Sequence, residues 1–489
     1  MLSESLARPG RRAPAGPTSL LRSAGLWPGL AAGLTASLLI VAGGVLVGPQ
    51  AAQRGVSGTV VGYACTYAGL LGLVGAWLHV GRLLRRQPGT AHGALLLVLL
   101  AWGLPLLIGP PLFSRDVFSY AAHGREIALG INPYHHGPSL LAGGPYLGFV
   151  SPIWMTARSP YGPLFLAVDG LIVRHSGQHV MVAVAGLRLL AIAGVALLAL
   201  WLPRLAASCG RDPSQALWLG VLNPLVLLHV VSGGHNDGLM LGLLVAGLVL
   251  ARRGRFGAAL VLCLLAAAVK APAALGAVYV GADWLRSCPD RRSAARAAAG
   301  AAAITATVAT LLTAGAGLGW GWLGTLTTAT RVRTVLSPTT DIGLAAGHLT
   351  QRLGLAFPAS WTLSLARATG LALAALICAH ALTMRSRRPS PARLGISLLA
   401  VVTLGPVIQP WYLLWGMVPL AAAGPGGLRP SLVWVSAGLS LLVLPNGAAA
   451  PDALTLAFLA SVAAVALVNA RTTVSARESV RRLGSRAAA

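Results

Sequence analysis

"SPYGPLFLAVDGLIVRHSG", residues 159–177, decides how this chain is threaded. The 489 residues are 56% hydrophobic and only 10% charged, with a mean hydropathy of +0.74. A water-soluble core cannot hide that much apolar surface, whereas repeated runs of about 20 apolar residues suit a bilayer. Such runs fall at 27–47, 58–80, 91–112, 180–202, 215–231, 237–251, 256–269, 271–285, 294–318, 361–383, 394–408, 411–423, 430–446 and 453–470. If 159–177 also crosses, every later loop changes side, and "RRGR" (252–255) and "RSRRPSPAR" (385–393) become external. If it lies along the surface, those clusters fall inside, together with both termini. That second threading puts 26 arginines in the cytoplasm, eight outside and two, Arg188 and Arg367, within spans. Basic residues gather on cytoplasmic loops, so the charge distribution selects the surface helix.

The expected fold class is an all-α polytopic membrane protein with about 12–14 transmembrane helices. Residues 1–26 form a basic cytoplasmic tail, 27–470 a single integral-membrane domain and 471–489 a second basic cytoplasmic tail. No small-residue cleavage site follows the first run, which therefore reads as a retained helix and not a signal peptide. The net charge of +26 belongs to cytoplasmic loops and does not call for nucleic acid. Cys65, Cys209, Cys263, Cys288 and Cys378 show neither paired nor metal-site spacing.

Two long external segments remain, 113–179 and 319–360, with short external corners at "SGGHND", at Lys270 and at "IQPWY". Only 11 residues are acidic, so acid–base candidates can be counted out. Glu4, Asp212, Asp283, Asp290 and Glu478 fall among cytoplasmic arginines. Asp452 and Asp341 read as cap or turn residues, and Asp169 as a water-facing residue of the surface helix. Asp116, Glu126 and Asp237 are left. In "FSRDVFSYAAHGREIALGINPY" (113–134), Asp116, Ser119, His123 and Glu126 recur at spacings of three, four and three, which gives one polar helix face. The bland reading is an amphipathic surface helix with a solvated face. Arg115 beside Asp116 would keep that carboxylate ionised.

In "GGHNDGLM", Asp237 and Asn236 could simply cap a helix. His235, Asn236 and Asp237 together exceed what a cap needs. Lys270 is the only lysine. A mid-membrane lysine costs about 2.5–3.5 kcal/mol on insertion scales and so needs a partner or an interface. With Arg331 and Arg333 in "TATRVRTVLSP", it suits a phosphate whose carrier lies in lipid. The aromatics of "QPWYLLW" (409–415) are interface anchors by default, though Gln409, Trp411 and Tyr412 could line a sugar pocket.

An Asp just beyond an early span, then "SYAAHG", "GINPY", "SPYGPL", "GGHND", the "KAP" junction and "QPWYLLWG", resembles the GT-C glycosyltransferases that use lipid-linked sugars. Within them the pattern is most similar to actinobacterial polyprenol-phosphomannose-dependent α-1,6-mannosyltransferases of the MptA/MptB type, over most of residues 100–420. The resemblance implies a GT-C-like bundle whose first large external loop carries interfacial helices, with Asp116 as catalytic base. It implies a substrate site around Arg115, Tyr120, Glu126, Asn132, Tyr134, Tyr161, His235, Asn236, Asp237, Gln409, Trp411 and Tyr412, with the donor phosphate on Lys270 and Arg331 or Arg333. The donor is a polyprenyl-phosphate mannose in membrane lipid and the acceptor a lipid-anchored mannoside of lipomannan or lipoglycan biosynthesis. The resemblance also implies a multi-pass plasma-membrane protein with its active site outside. No cofactor is expected, and a divalent ion at Asp116 and Asp237 is disfavoured because no acid cluster of a nucleotide-sugar metal site is present. Rivals are a polyprenyl-phosphate arabinosyl- or glucosyltransferase, and a lipid-linked sugar transporter or flippase. A transporter would place its ionisable groups at the midplane and repeat its halves, whereas here the acids cluster at one face beside a large one-sided loop and no repeat is visible.

The threading is tested with cysteines introduced singly at Arg253 and Arg387 of a cysteine-free chain. Both should stay unlabelled by a membrane-impermeant maleimide on intact cells, and labelling of either reverses the topology.

Overall fold

The computed structural model describes residues 21, 25–47, 56–89, 92–328, 336–355, 357–384, 388–442 and 444–447. Among these residues the chain forms helices and connections and no strand. The helices are α1 (Trp27–Val47), α2 (Val56–Arg86), α3 (His92–Ile108), α4 (Asp116–Ala128), α5 (Pro163–Ser176), α6 (Val180–Ser208), α7 (Pro213–Gly220) and α8 (Asp237–Arg252). They continue as α9 (Phe256–Ala267), α10 (Ala274–Ser287), α11 (Arg291–Ala316), α12 (Pro338–Arg352), α13 (Ala359–Thr383), α14 (Ser390–Leu404), α15 (Leu413–Ala423) and α16 (Arg429–Leu441). Five of them, α1, α2, α6, α11 and α13, are long and apolar enough to cross a membrane by themselves. This is an all-α polytopic membrane protein.

Several expected spans are broken, and the breaks have local causes. The run at 215–231 stops after Gly220 and resumes as a π-helical segment, Val226–Ser232. Pro224 lacks an N–H and disfavours helix at Asn223. The Asn223 side chain takes over, accepting from the Leu225 N–H at 2.9 Å and donating to Ser436 Oγ at 2.7 Å. The π segment then bends by 110° into α8. The run at 271–285 begins late, because Lys270 is extended (φ −152°) and Pro272 opens a short 3₁₀ turn. The expected connection 319–360 holds a 3₁₀ turn (Gly319–Leu323) and α12. Ser337, not Asp341, caps α12 by accepting from the Thr340 N–H. Arg331, Arg333, Asp452 and the run 453–470 lie outside the described residues.

The stretch that decided the threading forms α5, 14 residues long. At about 1.5 Å per residue that is ~21 Å, short of a hydrocarbon core of ~30 Å. α5 packs against α4, and each helix uses a glycine to admit the other. A Cβ on Gly124 would lie 2.5 Å from Asp169 Oδ1, and one on Gly170 would lie 2.7 Å from Ile127 Cγ2. One expectation and one bland alternative fail at this contact. Asp169 does not face water but is fully buried, and the polar face of α4 is not solvated, since Ser119, His123 and Glu126 are all buried. Burial, with Glu126 close by, pushes the Asp169 carboxyl well above its usual range. An acid held neutral costs far less to enclose than a carboxylate.

Arg188 in α6 joins this upper layer to the bundle. Its guanidinium donates to the carbonyls of Leu106 (2.5 Å) and Gly109 (2.8 Å) at the end of α3, and to Val231 in the π segment. Backbone carbonyls freed at helix ends are the usual partners of an intramembrane arginine. α6 also touches α8 backbone to backbone: a Cβ on Gly194 would meet the Gly238 carbonyl carbon and the Leu239 nitrogen at 2.2 Å. Small residues permit such approach between membrane helices. Because Gly238 follows Asp237, this contact sets where the acid stands.

Gly194→Ala should therefore destabilise by ~1–3 kcal/mol through overpacking and displace the start of α8. Gly75→Ala, where a Cβ meets nothing within 4 Å, should be neutral or slightly stabilising. Thermal unfolding of both variants in the same detergent measures the difference.

Candidate active site

The site is built where four chain breaks converge. The first is the turn between α3 and α4. Phe113 adopts a left-handed backbone (φ 66°), unusual for a bulky residue, and its N–H donates to the Pro445 carbonyl at 3.1 Å. That reversal starts α4 at Asp116, whose own N–H donates to Ser114 Oγ at 3.1 Å. One carboxylate oxygen of Asp116 accepts from Trp154 Nε1 at 3.1 Å, and the other lies 3.9 Å from His235 Nδ1. The Asp116 side chain retains 18% exposure, while Asp237 and His235 beside it have none.

The second break is the bend before α8, the third the Lys270 junction, and the fourth the 3₁₀ turn Pro410–Tyr412 ahead of α15. Asp237 ties them together. Lys270 Nζ donates to both of its oxygens, at 3.0 and 2.8 Å, and Trp415 Nε1 donates to Oδ1 at 2.5 Å. The ammonium also lies 4.9 Å from the Tyr412 ring and 5.3 Å from that of Trp415. Asp237 makes no side-chain cap on α8, so the capping reading fails: an ion pair offers its carboxylate more than backbone N–H groups would. Lys270 is thus already paired with a carboxylate before any substrate anion arrives.

Arg115 does not ionise Asp116. It forms no ion pair with that carboxylate, and its buried Nε has no partner among the described residues. Burial pushes the Asp116 carboxyl up to about 6, against the opposing pull of Lys270 and the Trp154 N–H. A carboxyl near 6 changes charge within the range where enzymes work. Burial also drives the phenols of Tyr120 and Tyr161 well up, which keeps both as neutral hydrogen-bonding groups. Tyr120 Oη lies 3.2 Å from His235 Nδ1, and its ring stands edge-on to Tyr161 at 4.9 Å. Tyr412 stacks on Trp415 at 4.2 Å, and Trp411 on His235 at 4.0 Å. The "QPWYLLW" aromatics thus turn inward and are not interface anchors.

Among the expected site residues, Asp116, Tyr120, Tyr161, His235, Asn236, Asp237, Lys270, Trp411 and Tyr412 come together. Half-buried Gln409 leads into the same turn. Three others belong to the scaffold. Glu126 is fully buried and bound to His123 Nδ1 at 2.7 Å. Asn132 donates to the Leu318 carbonyl at 2.9 Å, and Tyr134 donates to the Tyr161 carbonyl at 3.0 Å. These bonds fold the loop that carries Trp154 and Tyr161. Trp154, Trp415 and His229 were not anticipated. A buried indole N–H needs an acceptor, and in a chain so poor in acids that requirement could have pointed the two tryptophans at Asp116 and Asp237. His229 sits inside an apolar run and gave no such signal. Among the described residues, no group of three or more His, Cys, Asp or Glu side chains could hold a metal ion.

The family model for the alpha-(1->6)-mannopyranosyltransferase N-terminal domain matches residues 30–286, and the model for the MptB C-terminal domain matches 339–471. The chain belongs to the MptA/MptB family. A probable alpha-(1->6)-mannopyranosyltransferase of Mycolicibacterium smegmatis is 35% identical over 417 residues, covering 78% of this chain and 74% of that protein. An alpha-(1->6)-mannopyranosyltransferase of Mycobacterium tuberculosis is 35% identical over 418 residues (74% and 71%). Alpha-(1->6)-mannopyranosyltransferase A of the same organism is 34% identical over 402 (79% and 75%). No solved structure matches the chain.

The electrostatics of the site give a direct expectation. kcat/KM should fall with pH through about 6 as Asp116 takes up a proton. Lys270→Gln removes the charge that favours the ionised carboxylate and leaves Asp237 unneutralised, and both changes move the acidic limb to higher pH. A pH–rate profile of the two proteins measures the shift, and an acidic limb that stays in place or moves downward detaches it from Asp116.

Proposed function

We propose that the protein is an inverting α-1,6-mannosyltransferase that takes mannose from polyprenyl-phosphate mannose and passes it to the 6-hydroxyl of a lipid-anchored mannoside, in lipomannan or lipoglycan assembly. The observation that carries the mechanism is the contrast between two carboxylates. Asp237 is wholly buried and has both oxygens committed to Lys270 and Trp415. Asp116 keeps an exposed edge and titrates near 6. Only Asp116 is free to accept a proton from an incoming hydroxyl.

In the proposed reaction the acceptor 6-oxygen attacks C1 of the β-linked mannosyl group while its proton passes to Asp116. The new C1–O bond forms as the old C1–O bond to phosphate breaks. The electron pair leaves with the phosphate oxygen, so polyprenyl phosphate departs and the configuration at C1 inverts to α. A phosphate monoester is a good leaving group and needs no general acid. Negative charge grows on the phosphate as the bond breaks, and nearby cations act most strongly at that moment. Lys270, Arg115 and, from outside the described residues, Arg331 and Arg333 are the candidates, and Lys270 would have to share its charge between the phosphate and Asp237. General-base assistance contributes about 10²–10⁴ in rate, and holding the two sugars in place contributes more. In this reading the chain is a multi-pass plasma-membrane protein, the site opens to the outer face, both termini are cytoplasmic, and no cofactor takes part.

Asp116→Asn should lower kcat by more than about 10²-fold, because the amide keeps the shape but cannot accept the proton. Donor binding should survive. Glu126→Gln should leave kcat within a few-fold. Membranes containing each variant are assayed with radiolabelled polyprenyl-phosphate mannose and a short α-mannoside acceptor. Near-normal turnover by Asp116→Asn would remove it as the base, and transfer by the parent protein from a glucosyl or arabinosyl donor alone would replace mannose in the assignment.

A further inference from the structure

Inward of Asp116 lies a compact set of polar side chains that the proposed reaction does not use. His229, Ser232, His235, Asn236 and Trp411 are each at least 95% buried. Both nitrogens of His229, Ser232 Oγ, His235 Nε2, both amide atoms of Asn236 and Trp411 Nε1 have no hydrogen-bond partner among the described residues. Its three rings are contiguous: His229 lies 4.8 Å from the Trp411 ring and 6.0 Å from that of His235, and His235 lies 4.0 Å from Trp411. It begins at the reacting edge, since His235 Nδ1 is 3.9 Å from Asp116 Oδ2.

Buried polar groups are normally paired, because an unmade hydrogen bond there forfeits the solvation lost on burial. A concentration of unpaired groups beside one acid is not a packing accident of the apolar run. His229 is carried there by the π-helical segment, a geometry that recurs at functional sites. The Gly233–Gly234 pair that follows, with Gly234 left-handed (φ 72°), then turns His235 back toward the same cluster.

We propose that this cluster is the subsite for the 2-hydroxyl of the transferred sugar, with His229 as a specificity-determining residue. The reasoning rests on the mannosyl-transfer reading above. Asp116 would receive the proton of the oxygen attacking C1, so the hydroxyl nearest the reaction is the one on the adjacent carbon. C2 is also the only position at which mannose and glucose differ. A site built to hydrogen-bond a hydroxyl rejects substrates that lack or misplace it, since its own buried groups are then left unpaired. The same logic predicts a cost to the free protein: groups reserved for a ligand are unpaired without one, so stability is given up for discrimination.

The decisive variant is His229→Phe, which keeps an aromatic ring and removes both unpaired nitrogens. In detergent its Tm should equal or exceed that of the parent, whereas kcat/KM for polyprenyl-phosphate mannose should fall by about 10²-fold or more. The preference for the mannosyl over the glucosyl donor should shrink with it, while KM for the acceptor stays unchanged. His229→Gln, which still offers a donor and an acceptor, should recover part of the preference. The parent protein itself should discriminate against a 2-deoxymannosyl donor by a similar factor. Equal use of that 2-deoxy donor by the parent overturns the proposal whatever the variants do. So does His229→Phe with unchanged donor preference, or one that loses Tm and activity together while His229→Gln restores both without restoring the preference. These outcomes are distinct from failure of the reaction assignment, in which the parent protein transfers no mannose from a polyprenyl phosphate and both readings fall.

Discussion

The bidentate pair between Lys270 and Asp237 is the interaction on which the rest of the site depends. Each residue stands at a place where a helix is interrupted inside an apolar bundle, and interrupted helices leave backbone groups that lipid cannot satisfy. Neither charge would be tolerable there alone. Together, with the Trp415 N–H on the carboxylate and two aromatic faces on the ammonium, they form a desolvated and nearly saturated unit. Buried pairs of this kind add little net stability over apolar packing, yet breaking one by removing a partner typically costs about 3–5 kcal/mol. The pair therefore fixes geometry more than it adds stability. It pins the start of α8, the α9–α10 junction and the start of α15 to one point.

That arrangement divides labour between two carboxylates of the same type. Both oxygens of Asp237 are engaged by Lys270 and Trp415. Asp116, held by a single indole and a distant imidazole, is poised between charged and neutral by opposing influences: burial favours the protonated form, and Lys270 favours the ionised one. The ion pair is thus both a scaffold for the site and part of the field that sets the charge of Asp116. Around it, neutral phenols and indoles provide the flat, hydrogen-bonding surfaces that suit a sugar ring, with little net charge near the membrane interior.

A second acidic centre lies at the α4–α5 contact, where Asp169 and Glu126 are enclosed with His123. One oxygen of Glu126 meets the imidazole, and burial favours the neutral form of Asp169. Paired glycines, Gly124 and Gly170, bring the two helices close enough for these groups to meet. This contact carries no substrate chemistry in the proposed mechanism. It sets the depth and rotation of α4, and hence the direction in which Asp116 points.

Much of this was legible in the amino-acid order. Apolar run lengths and the sidedness of arginine determine a polytopic helical protein, because transfer of residues into lipid is nearly additive along the chain. The scarcity of acids left few candidates for proton chemistry, and Asp116 and Asp237 both lie in the candidate site. What the sequence could not convey is which polar groups face one another. Lys270 and Asp237 are 33 residues apart, Asp116 and Trp154 are 38 apart, and Asp237 and Trp415 are 178 apart. Local pattern treated Arg115 as the partner of Asp116 and Asp169 as water-facing, since adjacency and periodicity are all it can measure. The tertiary structure decided otherwise because a buried charge is governed by its nearest partner in space and by the water it has lost. Both are set by how broken helices pack, and neither is written in the order of residues.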